Sequence, residues 1–493
     1  MAMRNSACYI GIDLGTTNLK VALYDGDLRL IARESMPVRY QREGEFVEFD
    51  ADAYVEDLLC LTHKTLRAHG VNNVAQMALT GQAESLVVLG ADGRPLMNAI
   101  SWMDERSTQE CALLEERFPA ERVEAVTGQA AVLPTWPATK ILWLRRNRPE
   151  IYAAAAKYML LKDYVVYRLS GRMCADCSIA TFSLYFDIYR KCYWQEMLDA
   201  IGVRADQLPP LVEPCTAAGA LLAETARRLE IAPGAQVNVG TLDHFAGMIG
   251  TGNARVGALT LSTGTVMALA AMCAEPAPRN SGIAMHYGFL PDTHVMLPVV
   301  ESGGVSLEWF RNCCMPGVDY ARINETLLAR GENTLIFLPY IAGVNAPEFD
   351  RDAAGAFCGL RQEHDAFDMA RAVMEGVAFI LRKNCEYIAA KGTHLREILA
   401  TGGGSKSPVW CQLQADITGI PVLVPEEREA ACLGAAMIAA VADGRFRDFA
   451  EAAAACVRIA RRYEPRPTPA QQRKYRRFCR IYEALLPRNL DND

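Results

Sequence analysis

The residues that could do chemistry begin where the first apolar run ends, at Asp13, Leu14, Gly15, Thr16 and Thr17. Glycine lets a backbone approach a ligand closely, and threonine offers both N–H and O–H donors. A turn of this kind can cradle phosphate oxygens, and the aspartate at the strand end could hold Mg²⁺ through water. An ordinary buried hairpin is the alternative, because the stretch contains neither G-x-x-x-x-G-K-[ST] nor G-x-G-x-x-G.

The same pattern of strand, glycine flanked by threonines, and strand returns over residues 258–269, around Thr263-Gly264-Thr265. This recurrence predicts two related halves with a boundary near residues 247–256. Two such hairpins could clamp a triphosphate. The triple glycine at 402–404 lies between a predicted strand and a predicted helix, and we interpret it as a wall of a nucleotide site rather than a plain loop.

The elements that must position these residues follow from the hydrophobic pattern. The apolar run at 74–79 ends in a polar group that includes Gln82 and Glu84, and the run at 236–240 leads to Asp243. Helical stretches lie between the strands, one of them starting at the capping residue Asp50. Strands with polar ends that alternate with helices predict an α/β architecture whose site lies at the strand ends.

Composition limits the classes of function. The 493 residues are 51% hydrophobic, which is enough for two to four domains with large cores. A net charge of −7 argues against nucleic acid or an anionic membrane as a partner. We see no signal peptide or membrane-spanning run, so we expect a cytoplasmic protein. Sixteen scattered cysteines fit reduced thiols, and the isolated Cys174-Ala175-Asp176-Cys177 lacks the second pair that a zinc site needs.

Two longer patterns carry a family resemblance. Residues 355–375, from Gly355-Ala356-Phe357-Cys358-Gly359-Leu360 to Glu375, resemble the complete C-terminal signature of the FGGY carbohydrate kinases. Residues 135–147 are similar to the N-terminal signature and depart from it at Thr135. The resemblance to this group, which includes glycerol kinase, xylulokinase and gluconokinase, covers nearly the whole chain in order.

The resemblance implies two actin-like (ribonuclease H-like) α/β domains with an interdomain catalytic cleft, a sugar-binding domain at 1–250 and an ATP-binding domain at 251–493. ATP and Mg²⁺ are the implied cofactors. Asp243 matches the catalytic base, which should accept the proton of the attacking sugar hydroxyl as the γ-phosphoryl leaves ATP in line. Thr16 and Thr17 match the first phosphate loop, and Asp13 the acid near Mg²⁺. The positions expected to line the nucleotide are Gly264, Thr265, Gly304, Glu308, Gly403, Gly404 and Ser407.

The sugar contacts implied by the resemblance are of mixed type. Gln82 and Glu84 match the substrate group of glycerol kinase, but Ala83 stands where that enzyme has a basic residue. The stretch from Trp102 to Arg106 is more like xylulokinases and gluconokinases, although xylulokinases usually have histidine in place of Glu84. The full set of expected substrate-binding residues is Gln82, Glu84, Trp102, Asp104, Trp136 and Asp243. Because the carboxylates of Glu84 and Asp104 accept hydrogen bonds from hydroxyls, they favour a neutral polyhydroxylated substrate over a sugar acid.

We therefore expect ATP-dependent phosphorylation of a small neutral sugar, a ketopentose such as xylulose being preferred. A polyol kinase of the glycerol or erythritol type is the alternative. A non-catalytic ATPase of the actin or heat-shock type is the alternative from a different class, and it would not need Asp243 or the polar sugar-side residues. The expected partners are the sugar and ATP, and whether the chain forms a homodimer stays open. The basic segment 473–480 is predicted to be a surface helix that docks Tyr475, Phe478 and Tyr482 on the body.

Overall fold

The computed structural model describes residues 7–273, 275, 283–343, 353–427 and 429–485. Strands and helices alternate along most of the chain, as the hydrophobic pattern predicts. The strands are β1 (Cys8–Leu14), β2 (Asn18–Tyr24), β3 (Leu30–Pro37), β4 (Gln41–Glu43), β5 (Phe46–Phe49), β6 (Val74–Gly81), β7 (Leu86–Leu89), β8 (Ala99–Ile100), β9 (Lys157–Leu160), β10 (Ala175–Asp176), β11 (Phe186–Asp187), β12 (Cys192–Tyr193), β13 (Leu211–Val212), β14 (Ala217–Ala220), β15 (Gln236–Leu242), β16 (Ala258–Thr263), β17 (Met267–Cys273), β18 (Met285–Tyr287), β19 (His294–Met296), β20 (Val299–Val300), β21 (Ile336–Leu338), β22 (Ala356–Cys358), β23 (Glu397–Gly402), β24 (Val422–Pro425) and β25 (Ile459–Tyr463).

Several helices begin at a residue whose side chain accepts a hydrogen bond from their first turn. The first, for example, begins after Asp50, whose side chain accepts a hydrogen bond from the Ala53 N–H, and ends at Gly70 in a left-handed conformation. The α-helices are α1 (Ala51–His69), α2 (Thr108–Arg117), α3 (Ala120–Thr127), α4 (Pro137–Asn147), α5 (Pro149–Ala154), α6 (Leu161–Ser170), α7 (Cys177–Ala180), α8 (Gln195–Ile201), α9 (Ala223–Arg228), α10 (Asp243–Gly250), α11 (Gly304–Cys314), α12 (Tyr320–Leu328), α13 (Ala366–Ala390), α14 (Pro408–Thr418), α15 (Ala430–Ala442), α16 (Phe449–Cys456) and α17 (Pro469–Ala484).

The chain divides into two compact units that are not continuous in sequence. The first unit consists of Met1–Ala254, Pro278–Val295 and Glu429–Val457, and the second consists of Arg255–Ala277, Met296–Arg428 and Arg458–Asp493. The single boundary predicted at residue 250 therefore does not describe these units. The physical reason is that the apolar helix α15 packs in the first unit, on β1 and α10. Glycines on both sides allow the close approach, since a Cβ at Gly11 of β1 would lie 2.0 Å from the Cys432 carbonyl oxygen and a Cβ at Gly434 of α15 would lie 1.8 Å from the Ala246 carbonyl oxygen.

The central sheet of the first unit has the strand order β14-β15-β6-β1-β2-β3. Strands β1 and β2 form the antiparallel hairpin predicted from the sequence, while β6 runs parallel to both β1 and β15. A smaller antiparallel sheet of the same unit has the order β4-β5-β8-β7-β9. Parallel strands carry their carboxyl ends at one edge of the sheet, so the residues that follow β1, β6 and β15 lie together.

The sheet of the second unit repeats this arrangement. Its strands β17, β16, β23, β24 and β25 follow one another in that order. The hairpin β16–β17 is antiparallel, and β23 runs parallel to β16. The predicted surface helix is also present as α17, with Tyr475, Phe478 and Tyr482 buried and the arginines between them exposed. Among the described helices, none combines the length and the hydropathy needed to cross a bilayer.

Candidate active site

The carboxyl ends of β1, β6 and β15 form what we call the strand-end site. In the sheet register Leu14 lies opposite Gly81, and Leu242 also lies opposite Gly81. The next residues of the three strands are Gly15, Gln82 and Asp243, which therefore leave the sheet side by side. Residues separated by more than two hundred positions in the sequence are brought to one edge by parallel pairing alone.

Asp243 is the first residue of α10, directly after β15, and its side chain is half-buried. One of its carboxylate oxygens, Oδ1, accepts a hydrogen bond of 2.6 Å from the His244 N–H. The strand bulges between Asn238 and Thr241, where Gly240 has φ +65°. A Cβ at Gly240 would lie 1.6 Å from the Leu79 carbonyl oxygen, so only glycine permits this bend. The bulge sets the direction in which Asp243 leaves the sheet.

Asp13 lies at the same edge and is only 6% exposed. Its Oδ2 is 3.4 Å from Lys20 Nζ, which also donates to Glu429 at 2.8 Å. Burial raises the pKa of Asp13 to about 6, Lys20 opposes that rise, and the nearby charge of Asp243 adds to it. Within the described residues its Oδ1 is buried without a hydrogen-bond partner. A carboxylate oxygen with free acceptor capacity fits a magnesium ion held through water.

The phosphate turn and the sugar-side residues are joined by hydrogen bonds. Trp102 Nε1 donates to Thr16 Oγ1 at 2.9 Å, and the Tyr40 hydroxyl donates to the Thr16 carbonyl at 3.0 Å. Gln82 Nε2 lies 3.4 Å from the Tyr40 hydroxyl, and Ser85 Oγ donates to Gln82 Oε1 at 2.9 Å. The two groups that the sequence assigns to phosphate and to sugar therefore form one network. Thr17 stays exposed beside it.

Glu84 is held in a conformation that side chains rarely adopt, with φ +67°. The fully buried Lys140 donates from Nζ to the Glu84 carbonyl at 3.1 Å and to the Ser101 carbonyl at 2.8 Å. It thereby ties the turn after β6 to the loop after β8. Burial raises the pKa of the Glu84 carboxyl to about 7, while Lys140 and a hydrogen bond from Thr135 limit the rise. Burial lowers the pKa of Lys140, and the Glu84 charge opposes that shift.

Asp104 is expected to contact the substrate, but in the structure it is 0% exposed and its carboxylate is engaged by protein groups. Asp104 accepts hydrogen bonds from the Val47 N–H at 2.6 Å and from Arg106 at 2.7 and 2.8 Å. Arg106 also pairs with Glu48 at 2.7 Å and lies 4.3 Å over the Phe46 ring. Buried charges need such partners, so Asp104 supports the loop that carries Trp102 from inside the protein.

Trp136, which is also expected to contact the substrate, lies in the core of the first unit. Its ring is 5% exposed within an apolar cluster that contains Leu86, Ile141 and Phe118. Its indole N–H donates to the Ala131 carbonyl at 3.1 Å. The residue directly precedes α4 and its proline, and the first turn of that helix fixes it against the core. A tryptophan satisfied in this way forms packing rather than an apolar wall for a sugar.

The second unit contains a cavity of about 320 Å³ that we call the glycine cavity. It brings together every position expected to line the nucleotide in this half of the chain. Its lining residues are Thr263, Gly264, Thr265, Gly304, Leu307, Glu308, Tyr320, Ile323, Asn324, Met374, Gly403, Gly404, Lys406, Ser407 and Trp410. Tyr320, Ile323 and Trp410 give it an apolar side that the sequence reading missed. A flat aromatic base needs such a side, and phosphates need the glycine-rich one.

Backbone groups shape the polar side of the glycine cavity. Thr263 lies opposite Gly402 in the parallel pair β16–β23, so the two turns leave the sheet together. The Gly304 N–H donates to the Gly264 carbonyl at 2.7 Å. A Cβ at Gly304 would lie 2.5 Å from that same oxygen. Ser407 caps α14 through the Trp410 N–H at 3.1 Å. Two helices, α11 and α14, thus begin at this cavity, so the positive ends of their dipoles lie there.

The sequence reading missed several side chains that organise the strand-end site. Lys140 lies inside the quoted N-terminal signature but was given no role, and its apolar neighbours in α4 were the available signal for a buried lysine. Tyr40, Lys20 and Ser85 gave no local signal, because their importance comes from partners distant in the sequence. Within the described residues no cluster of three or more metal-ligating side chains occurs, and both Cys174 and Cys177 are buried.

Comparison with known proteins identifies relatives along nearly the whole chain. The xylulose kinase of Escherichia coli (strain K12) is 30% identical over 498 residues, covering 97% of this chain and 99% of that protein. The crystal structure of ligand bound xylulose kinase from Lactobacillus acidophilus superposes with a TM-score of 0.90 at 26% identity, covering 99% and 100% of the two chains. The gluconate kinase structure from Lactobacillus acidophilus also gives 0.90 at 26% identity, covering 98% of each chain.

Two family models account for the architecture. Residues 8–250 match the N-terminal domain of the FGGY carbohydrate kinases, and residues 260–442 match the C-terminal domain. The solved relatives share the two-domain α/β fold, so the expected actin-like fold class is confirmed. The signatures at 135–147 and 355–375, the repeated hairpin and the domain matches agree, and the chain belongs to the FGGY family of carbohydrate kinases.

Proposed function

We propose that this carbohydrate kinase transfers the γ-phosphoryl group of ATP to a hydroxyl of a small neutral sugar, with a ketopentose such as xylulose preferred. The observation that carries the proposal is the strand-end site, where three parallel strands place Asp13, Gln82 and Asp243 at one edge. The sugar binds to the first unit and ATP binds in the glycine cavity of the second. The named xylulose kinases among the relatives support the choice of sugar.

Asp243 acts as the general base in this proposal. Its carboxylate is half-buried at the start of α10, so it is accessible to a substrate hydroxyl while partly shielded from water. As the hydroxyl oxygen attacks the γ-phosphorus, its proton passes to the Asp243 carboxylate. The bond between the γ-phosphorus and the β–γ bridging oxygen breaks, and ADP leaves with that electron pair on its terminal oxygen. Thr16 and Thr17 contribute hydroxyl and N–H donors toward the phosphates.

Asp13 is the residue that would hold Mg²⁺, through water, because its buried Oδ1 lacks a hydrogen-bond partner among the described residues. The ion, when bound, neutralises charge on the phosphate oxygens. Lys20 holds the other oxygen of Asp13 in place at 3.4 Å. Magnesium sites in such enzymes often contain only one or two protein carboxylates, because the ion keeps several of its waters and binds substrate phosphates directly.

The neutral substrate class follows from the charges near the sugar side. Glu84 and Asp243 present carboxylates there, and the two nearest buried cations are already engaged. Lys140 donates to two backbone carbonyls, and Arg106 is paired with Asp104 and Glu48. A substrate carboxylate would meet like charge, and neither Lys140 nor Arg106 is free to balance it. Since a gluconate kinase is also structurally similar, gluconate is the competing substrate to be measured.

A coupled assay of ADP release tests this proposal on a panel of ketopentoses, polyols and sugar acids. We expect the highest kcat/KM for a neutral ketopentose and a lower value for polyols. Gluconate should be the weakest of the three classes. If gluconate or another sugar acid gives the highest kcat/KM, the substrate assignment is wrong even though the kinase activity stands.

A polyol of the glycerol or erythritol type is the second candidate, favoured by the Gln82 and Glu84 pair. Gln82 is 4% exposed, and its amide oxygen and nitrogen already hydrogen-bond with Ser85 and Tyr40. We therefore rank polyols second. The comparisons give no support to a non-catalytic ATPase module, because the named relatives are sugar kinases. Ketopentose and polyol are separated directly by the same panel.

A further inference from the structure

A buried ion cluster formed by Lys162, Asp163 and Asp176 lies beside β15. None of these residues has a role in the proposed chemistry. Lys162 is 0% exposed, and its Nζ lies 2.5 Å from Asp176 Oδ2 and 3.6 Å from Asp163 Oδ1. Asp176 stands between the two cysteines of the C-x-x-C stretch and caps α7 by accepting from the Ser178 and Ile179 N–H groups. The cluster is held by salt bridges, and Cys174 and Cys177 beside it are buried free thiols.

The cluster holds β15 on both sides of its bulge. Lys162 Nζ donates to the Val239 carbonyl at 2.6 Å. The Ser178 hydroxyl hydrogen-bonds to Asp176 and lies 2.8 Å from Thr241 Oγ1. Between Val239 and Thr241 stands Gly240, the left-handed residue of the bulge. The ion cluster therefore grips the residues immediately before and after the bend that leads to Asp243.

The neighbouring strand and side chains complete the grip. Thr80 of β6 donates from Oγ1 to the Thr241 carbonyl at 2.9 Å. The Asn238 side chain accepts from the Gly240 N–H at 2.9 Å and donates to Gln76 at 2.9 Å. Polar groups of the bulge that leave the regular sheet ladder are thus satisfied one by one, as buried backbone groups require.

Stability alone is a poor reason for such a cluster. Moving two charges out of water costs several kcal/mol for each ion, and apolar side chains of similar size often replace a buried ion pair without loss. The charge is nevertheless retained, because the Asp176 and Asp163 carboxylates outweigh burial and raise the pKa of Lys162. A charged network has one geometry in which all partners are satisfied, and this geometry fixes the path of β15.

We propose that Lys162 and Asp176 are positioning residues for Asp243. They hold the bulge at Val239, Gly240 and Thr241, and the bulge sets where the Asp243 carboxylate stands relative to the substrate hydroxyl. This inference rests on the proposed role of Asp243 as the base. Neither side chain contacts substrate, so their effect on the reaction passes through the backbone of β15.

The test compares Lys162→Met, Asp176→Asn and a matched control, Lys474→Met. Lys474 is a lysine of the second unit with a 9% exposed side chain, paired with Glu375 and bonded to the Asn333 carbonyl at 3.1 Å. It resembles Lys162 in burial and in its pairing with a carboxylate. Each variant is measured for melting temperature, for kcat and KM of both substrates, and for hydrogen exchange of the backbone amides over residues 236–250.

We expect Lys162→Met and Asp176→Asn to lower kcat, by about 10²-fold for Lys162→Met since small misplacements of a reacting group have effects of that size. KM for ATP should stay unchanged, and amide exchange over 236–250 should speed up. Lys474→Met should lower the melting temperature without either effect. Asp176→Asn retains the cap of α7 while removing the charge, so it decides the matter if Lys162→Met does not fold.

Two results would overturn the inference. One is unchanged kcat in a folded Lys162→Met or Asp176→Asn protein, whatever its amide exchange. The other is an equal loss of kcat in the Lys474→Met control, which would indicate a general effect of stability. Failure of the proposed function can be told apart from failure of this inference. A fully active Asp243→Asn protein would show that Asp243 is not the base, while the exchange data would still report whether the cluster holds β15.

Discussion

The strand-end site of the first unit and the glycine cavity of the second hold their functional groups by different means. At the strand-end site, buried charged side chains such as Asp13, Glu84 and Lys140 are fixed by ion pairs and by hydrogen bonds to distant carbonyls. In the glycine cavity, backbone groups and helix starts do this work, and close glycine contacts such as Gly304 against Gly264 shape the polar side. The comparison teaches that two related units can position polar groups by different means, through ion-paired side chains in one and through the backbone in the other.

The difference also has an electrostatic consequence. The strand-end site contains carboxyls whose pKa values burial raises toward neutrality, Asp13 to about 6 and Glu84 to about 7. The charges of these two groups are therefore sensitive to pH near neutrality. Phosphate recognition by N–H groups needs no titrating partner. Removal of charge should therefore damage the first site, and added volume should damage the second.

The largest expected effect is that of Asp243→Asn. The amide keeps the size of the side chain but cannot accept the hydroxyl proton, so kcat should fall by roughly 10²–10⁴-fold. Steady-state kinetics measure the loss, and calorimetric titration should show unchanged ATP affinity in the second unit. Near wild-type turnover in a folded variant would remove Asp243 from its proposed role.

Asp104→Ala should act on stability rather than directly on sugar affinity. The change leaves Arg106 buried with only Glu48 as a charged partner, and breaking a buried pair costs about 3–5 kcal/mol. Denaturant unfolding measures the effect. Glu105→Ala, at the exposed neighbouring position, is the matched control and should be neutral. A stable Asp104→Ala protein with a raised sugar KM would restore Asp104 as a substrate ligand.

Gly304→Ala should damage the glycine cavity through volume alone. The added Cβ would lie 2.5 Å from the Gly264 carbonyl oxygen, and overpacking of this kind costs ~1–3 kcal/mol. Gly403→Ala is the contrast, because its Cβ would meet only the Thr263 carbonyl oxygen at 3.7 Å. We expect lower stability and weaker ATP binding for Gly304→Ala, and unchanged stability for Gly403→Ala. Equal stability of the two variants would contradict the backbone-shaped cavity.

The smallest expected change in stability is that of Glu84→Gly, where two effects of opposite sign meet. The change relieves the left-handed backbone at φ +67°, which is worth about 1 kcal/mol, but it also removes the carboxylate charge that faces the buried Lys140. Removal of this sugar-side carboxylate should also raise the KM for sugar. Glu230→Gly, at another left-handed position with φ +57°, should stabilise the protein by about 1 kcal/mol without changing the kinetics. A Glu84→Gly protein stabilised as much as Glu230→Gly would show that the Glu84 charge does not stabilise Lys140.

Local sequence determined much of this protein. The two hairpins, the cap of α1 at Asp50 and the docking face of α17 appear as expected, because capping, glycine turns and hydrophobic periodicity act over a few residues. The glycine-rich side of the glycine cavity could also be named in advance, since Gly264, Gly304 and Gly403 lie in short glycine motifs at strand or helix ends, whereas its apolar side could not. The family signatures are local in the same sense.

Tertiary structure alone decided which side chains face a ligand. Asp104 and Trp136 have the chemical types of sugar contacts, but partners distant in the sequence engage Asp104 and bury Trp136. The reverse holds for Lys140. Its sequence context indicates only a helical residue, but in the structure it connects two loops through hydrogen bonds to the Glu84 and Ser101 carbonyls. The placement of α15 in the first unit is also a packing outcome. Burial and long-range hydrogen bonds depend on the whole fold, and a chemical type in a sequence does not specify its partners.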